Sequence, residues 1–362
     1  VIGSSTLRKL TRFALPLSML FLVLPGGTAV AQAPTQAQVQ DAIDRGLAYL
    51  LEHQRDDGSI RNNDQHATAM TSLALMALAS VGHMPADQTP EGQTMRRALE
   101  FVLRDSQVRS RVDGYFGQAD GSRMYGHGII TLMLTEMLGQ TGDDQMDQLV
   151  HERVDDAIEV ILRSQQVNKP ERHRGGWRYN TNSSDSDLSV TVWQLMALRS
   201  AAEAGIDVPS EAIDQAVAYL QRSYVDRDNN GSGGFRYMNE SSRSPEYSTT
   251  AAGLLAMQVA GQYDAPQTRG AIQHLERNHA EDERNHRWWY YGTYYYAQGM
   301  HQAGPPYDAQ ARDITARMML GRQQNDGSFR GQDSDRGTPI YSTSLAILSL
   351  SVQHHFLPIY QR

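Results

Sequence analysis

The chain has 362 residues, 40% hydrophobic and 20% charged, with 33 Lys plus Arg against 41 Asp plus Glu, 12 His and no Cys. That composition can bury a large core and excludes a disordered chain, while a net charge of −8 argues against a nucleic-acid or anionic-membrane binder, since both need a basic face. Without Cys there is neither a disulfide nor a thiolate ligand, so packing alone must hold the fold.

Residues 1–31 read as a secretory signal peptide. Arg8, Lys9 and Arg12 form a basic start with no acidic residue, and Phe13 to Leu24 is an apolar run broken only by Pro16 and Ser18. That run is shorter than the about 20 residues a bilayer span needs. Pro25-Gly26-Gly27 ends it, and Ala29-Val30-Ala31 supplies the small residues of a cleavage site. The expectation is a periplasmic or secreted protein with no stable membrane span once the signal is removed. Residues 32–38 then form a short linker, and 39–362 one domain.

Next comes a helix with Val39, Ile43, Leu47, Leu50 and Leu51 on one face and Asp41, Asp44, Arg45 and Glu52 on the rest. A loop, Gln54 to Ile60, leads to Ala67 to Gly82, which carries no charge at all. A helix without a polar face is buried on several sides. The alternation returns five times. Charged helices are predicted near 92–106, 147–165, 209–223, 265–279 and 308–323, and uncharged or weakly charged partners near 127–140, 188–204, 248–261, 290–303 and 341–355. The mean spacing of about 55 residues exceeds the usual helical-repeat periods. One wet and one dry set of six helices predicts an inner ring enclosed by an outer ring: an all-α, closed α/α toroid in a single domain.

Two of the hairpin loops share Gln-x-x-x-Gly-x-apolar, at Gln54/Gly58/Ile60 and Gln323/Gly327/Phe329. Three others keep the Gly and an aromatic: Gly114-Tyr115-Phe116, Gly175-Gly176-Trp177 and Gly233-Gly234-Phe235. Gly suits a positive φ at the helix end, and the Gln amide can cap loose carbonyls there. These residues resemble the QW motif of the terpenoid cyclase/protein prenyltransferase superfamily. The chain is similar over 39–362 to secreted bacterial prenyltransferase and squalene oxidase repeat proteins. The motif is structural in that superfamily, so it implies the toroid and says nothing of catalysis.

The superfamily's zinc-dependent prenyl transfer and its thioester chemistry both need a Cys, which this chain lacks. Class II cyclases use an Asp-x-Asp-Asp acid. The nearest match is Asp185-Ser186-Asp187-Leu188, where Asp187 holds the position of the proton donor and Leu188 replaces the last Asp. Two readings stand beside each other, since Asp185 or Asp187 also suits the N-cap of the helix beginning at Leu188.

Trp288 to Tyr296 is the next candidate region. Tyr291, Tyr294 and Tyr295 share a helical face able to line an isoprenoid site or to pack as ordinary core. Equivalent inner-helix starts carry His66, Tyr125, His127, Asp187, Tyr247, Tyr291 and Tyr341, which a closed ring gathers at one mouth. His66, His127 and Asp187 also suit a nitrogen–oxygen metal site. Asp226, Asp228 and Asn230, followed by Gly231, match the first half of a calcium loop, although Tyr237 stands where the bidentate Glu belongs. No other cofactor is expected.

The expected function is a squalene cyclase-like repeat protein with a central cavity for a hydrophobic, isoprenoid-like ligand, its Asp187 the catalytic candidate. The alternative is a non-catalytic binder of peptide, lipid or glycan. A carbohydrate-active barrel would need paired carboxylates facing the cavity.

Overall fold

Thr35 starts the first helix: its hydroxyl accepts from the Gln38 amide, and Gln38 reaches back to the Thr35 amide. The computed structural model describes residues 33–63, 65–104, 107, 114–226, 230–240, 244–279, 286, 288–331, 339–354 and 356–360. The expected signal peptide, residues 1–31, lies outside the described residues.

Twelve α-helices occur among the described residues. The outer set is α1 (Gln36–Glu52), α3 (Pro90–Leu103), α5 (Asp144–Gln165), α7 (Ser210–Ser223), α9 (Pro266–Arg277) and α11 (Tyr307–Leu320). Between them come the inner helices α2 (Ala67–Ala79), α4 (Arg123–Glu136), α6 (Leu188–Glu203), α8 (Tyr247–Val259), α10 (Trp289–Gln302) and α12 (Pro339–Leu350). The wet and dry sets fall where the charge pattern put them. Every residue of α8 is buried, whereas α1 buries one stripe that includes Ile43, Leu47 and Leu50.

Each inner helix packs on the next, and α12 packs on α2, so the ring is closed. The pairings also fix direction. Gln194 of α6 donates to Met124 O of α4 near one end (2.7 Å), and Ser200 meets Thr135 near the other (2.7 Å). Likewise Tyr247 of α8 reaches Thr293 of α10, and Gln258 reaches Gly299 O. Neighbouring inner helices therefore run parallel, with all their N-termini at one mouth.

Helix boundaries moved by a few residues. α4 begins at Arg123, about one turn ahead of the sequence expectation, and α12 ends at Leu350, five residues short of it, whereas α10 begins at Trp289, one residue ahead. α1 begins at Gln36, inside the expected linker, because of the Thr35 cap.

The loop motif is a set of staples. Gln54 Nε2 donates to Gly58 O (3.0 Å) and to Thr94 O of the next outer helix (2.8 Å). Gln323 does the same with Gly327 O (3.0 Å) and Ala42 O of α1 (2.8 Å), which joins the last outer helix to the first. Gln165 repeats the geometry across a longer loop, to Gly175 O and Ala212 O. Each amide thus bridges two outer helices, a stronger role than capping its own helix end. Gly58 and Gly327 have φ of +89° and +83°, and a Cβ on either would meet a carbonyl of the neighbouring outer helix at 2.3 Å. Only Gly fits there.

The apolar residue that closes each motif is pinned from the inner ring. The amides of Ile60, Trp177, Phe235 and Phe329 donate to the hydroxyls of Thr71, Thr191, Thr250 and Thr343, at 2.9–3.3 Å. In the second hairpin His127 takes the Thr position, its ring stacked against Phe116.

Candidate functional site

The lumen of the ring is filled by aromatic side chains. Trp193 on α6 stacks nearly parallel on Tyr294 of α10 with centroids 6.1 Å apart, although α8 separates those helices in the ring. Such a pair is made only across the centre. Tyr295 packs edge-on against Trp193 (5.7 Å) and Tyr294 (4.7 Å), and Tyr291 adds a ring at 4.7 Å from Tyr295. Trp193, Tyr294 and Tyr295 are all fully buried at 0% exposure. The shared face of Tyr291, Tyr294 and Tyr295 therefore points inward, as packed core at this level.

Above that floor the N-terminal mouth is polar and aromatic. Asp187 is the N-cap of α6: one carboxylate oxygen accepts from the Val190 amide (2.9 Å) and the Ser189 hydroxyl (2.8 Å). The other accepts from Arg178 Nη1 at 2.7 Å, while Arg178 Nε lies 3.3 Å from Asp185. One guanidinium thus ties both carboxylates of the cyclase-like motif. Arg178 also donates to the Tyr237 hydroxyl (3.0 Å), which is 3.0 Å from the Tyr179 hydroxyl, and the guanidinium lies over both rings. Burial pushes the fully buried Asp187 carboxyl up, against the pull of Val190, Ser189 and Arg178. With three donors on its two oxygens, the group is built to be held as a carboxylate. Desolvation pulls Arg178 down, but Asp187 and Tyr237 together carry it above its ordinary value.

Tyr125 completes the mouth, its ring edge-on to Trp193 at 6.2 Å. Tyr341 is buried at the start of α12, and Trp288 is exposed at the start of α10. Three residues other than Gly have positive φ among the described residues: His66 (53°), Arg123 (57°) and Trp288 (59°). All three stand where inner helices begin. Such backbone costs about 1–2 kcal/mol per residue, and it concentrates at functional sites.

Other candidates are not brought into this group. His127 turns outward and its Nε2 contacts Ala157 O of α5 at 3.1 Å; burial lowers its pKa to about 4. Tyr247 packs between α8 and α10, where Gly292 makes room for its ring. His66 Nδ1 contacts Asp120 O at 3.1 Å. With His127 facing the outer ring and Asp187 held by Arg178, the three-residue metal set is not assembled. Among the described residues no three His, Asp or Glu side chains gather as a metal site. In the calcium-like loop, Asp226 accepts from the amides of Asn230 and Gly231 (3.3 and 2.8 Å), and Asn230 accepts from Ser232. Asp228 lies outside the described residues.

Sequence reasoning missed Trp193, Arg178, Tyr179 and Tyr237. Arg178 and Tyr179 directly follow the aromatic of a loop motif, and Tyr237 stands two residues after another. The position after each motif was the available signal.

No protein-family model matches this chain, and no curated protein matches its sequence. Solved structures share its fold. A cellobiose 2-epimerase from Bacillus thermoamylovorans is 13% identical with a TM-score of 0.63, covering 88% of this chain and 100% of that one. An inactive variant of an α-1,6-mannanase from Salegentibacter, in complex with α-1,6-mannotriose, is 12% identical with a TM-score of 0.59, covering 87% and 98%. A type II terpene cyclase from Scytonema is 16% identical with a TM-score of 0.56, covering 90% and 100%. The α/α toroid is thus shared with enzymes of carbohydrate and terpenoid chemistry alike, and the terpenoid cyclase superfamily is not singled out. No described helix is long and apolar enough to cross a membrane.

Proposed function

We propose that this chain is an exported ligand-binding toroid whose N-terminal mouth holds a hydroxylated, ring-shaped ligand of the glycan class without turning it over. The observation that carries the reading is the Trp193–Tyr294 pair across the lumen, which leaves the mouth as the ligand platform. There Tyr125, Tyr179, Tyr237 and Trp288 offer rings, and Asp185, Arg178 and the tyrosine hydroxyls offer polar partners, the mixture typical of a small-molecule site. Arg178 bonds both Asp185 and Asp187, so these two carboxylates are not a free acid–base pair of the kind glycoside hydrolysis uses. Two of the named neighbours carry sugar chemistry in their descriptions, which favours the same class.

A second reading keeps an isoprenoid-like ligand and Asp187 as its proton donor. It is favoured by the burial that raises Asp187 beside the aromatic floor. It requires the Trp193–Tyr294 pair to part.

Calorimetric titration with manno- and cello-oligosaccharides, and separately with a polyprenyl alcohol, tests both, with mass spectrometry of each mixture for products. We expect saccharide binding without products, weakened about tenfold by Tyr237→Ala, an effect of about 1.4 kcal/mol. Isoprenoid binding without saccharide binding overturns the first reading, and product formation lost in Asp187→Asn establishes the second.

A further inference from the structure

The opposite mouth is closed by the chain itself. After α12, the segment Leu357–Tyr360 packs on α6, with Leu357, Ile359 and Tyr360 buried. The Tyr360 hydroxyl is hydrogen-bonded to that of Tyr294, so its ring enters the lumen beneath the Trp193 stack. The Ile359 amide donates to Glu136 Oε2 (3.3 Å), and the Ser200 hydroxyl donates to Oε1 (2.5 Å). A cavity of about 510 Å³ lies alongside, lined by Arg199, Glu203, Gln258, Tyr263, Gln302 and Ile359 among others.

We propose that Leu357–Tyr360 is a self-inserted plug, and that the lumen beneath it is a second ligand site, taking a hydroxylated aromatic molecule in place of the Tyr360 phenol. The slot states its own chemistry. Its occupant is a flat ring stacked among rings, with a hydroxyl meeting the Tyr294 hydroxyl. The backbone bond that seats it ends on a buried carboxyl. The plug is one short helical turn, and the adjoining cavity leaves it a wall open to water.

Glu136 makes the seating depend on pH. The groups facing it are Ser200 and Glu203 of α6, Tyr294 of α10, and Ile359 and Tyr360 of the plug. Of these none is a cation, and Glu203 is paired with Arg199. Both phenols are pushed above their ordinary value by burial, so neither ionises near neutrality. Burial likewise pushes the Glu136 carboxyl up to about 7. Below that pH the plug sits over a neutral acid. As the pH rises from the ordinary carboxyl value to 7, the seated form loses ground to a released form in which water reaches an ionised Glu136.

The test uses the full chain and p-cresol, the side chain of tyrosine as a free molecule, by calorimetry at about pH 5.5 and about pH 8.5. Expected is binding at least about tenfold tighter at the higher pH. Glu136→Gln should remove the pH dependence, and Tyr360→Ala should bind at both values. Binding by Tyr360→Ala alone, with none by the unaltered chain at either pH, makes Tyr360 a fixed core residue and overturns the proposal. Should that variant fail to fold, hydrogen exchange of the unaltered chain decides. Protection of 356–360, corrected for intrinsic rates, must fall at the higher pH while α4 and α6 keep theirs; equal protection at both overturns the plug.

Discussion

Gln323→Leu removes the staple that joins the last outer helix to the first while nearly preserving side-chain volume. Two hydrogen bonds are lost, to Ala42 O and Gly327 O, each worth about 1 kcal/mol net. Ala42 lies inside α1, so its carbonyl keeps a helical partner, whereas the Gly327 carbonyl loses its bond with the Gln amide, adding about 1 kcal/mol. Gln323 Oε1 is itself buried without a partner, and deleting it returns about the same amount. The expected loss is about 2 kcal/mol, close to 3 °C in Tm for a chain of this size. Urea unfolding followed by far-UV circular dichroism measures it. Gln165→Leu, which cuts the same pair of bonds in mid-chain, serves as the reference. A closed ring makes the two losses alike. If Gln323→Leu cost less than about 0.5 kcal/mol while Gln165→Leu cost the full amount, the seam between α11 and α1 would not bear load, and the closed-ring reasoning would fail.

Gly327→Ala should cost more than about 3 kcal/mol, because its Cβ meets Arg45 O at 2.3 Å; Gly205→Ala, with φ of +89° but nothing within 4 Å, should cost only about 1 kcal/mol. His127 is held neutral by burial, with its pKa near 4 against an ordinary 6.5. The unfolded chain therefore binds that proton first, and stability should fall by about 3 kcal/mol as the pH drops from 6.5 to 4. His127→Thr, which restores the residue of the other hairpins, should flatten that limb of the pH–stability curve measured by urea unfolding; an unchanged limb would clear His127. Arg178→Met leaves Asp187 buried without its cation and should cost about 3–5 kcal/mol, with much of it recovered in the double variant carrying Asp187→Asn. No recovery would mean that Arg178 acts by packing on Tyr179 and Tyr237. Calcium at about 1 mM should raise Tm in a thermal-shift assay, and Asp226→Asn should abolish the rise; no response reduces that loop to a turn.

The fold was legible because wetness is written along the chain. Residues 67–82 contain no charge, and the helix they form, α2, buries all but Met70. The Gln54 and Gln323 motifs were visible for the same reason that they work: one short loop carries both partners. Gln165 was hidden because its loop is longer and Gly175 falls ten residues away. The mouth was legible only in part. Equivalent helix starts do converge, yet convergence of backbones does not set side-chain direction, so His127 faces α5 while Tyr125, two residues earlier, faces the lumen. Trp193 against Tyr294, and Glu136 under Ile359, are pairings between distant segments that no local pattern announces.

Six aligned inner helices also give the molecule an electrical axis. Each contributes roughly half a positive charge at its beginning and half a negative charge at its end, before any side chain is counted. Asp187 sits at the favourable pole for a carboxylate and is clasped by donors, whereas Glu136, the last residue of α4, sits at the unfavourable one, where burial pushes its carboxyl up to about 7. The axis thus opposes the effect of burial at Asp187 and adds to it at Glu136, so the ring has a north and a south. A charged visitor of either sign meets welcome at one end and resistance at the other.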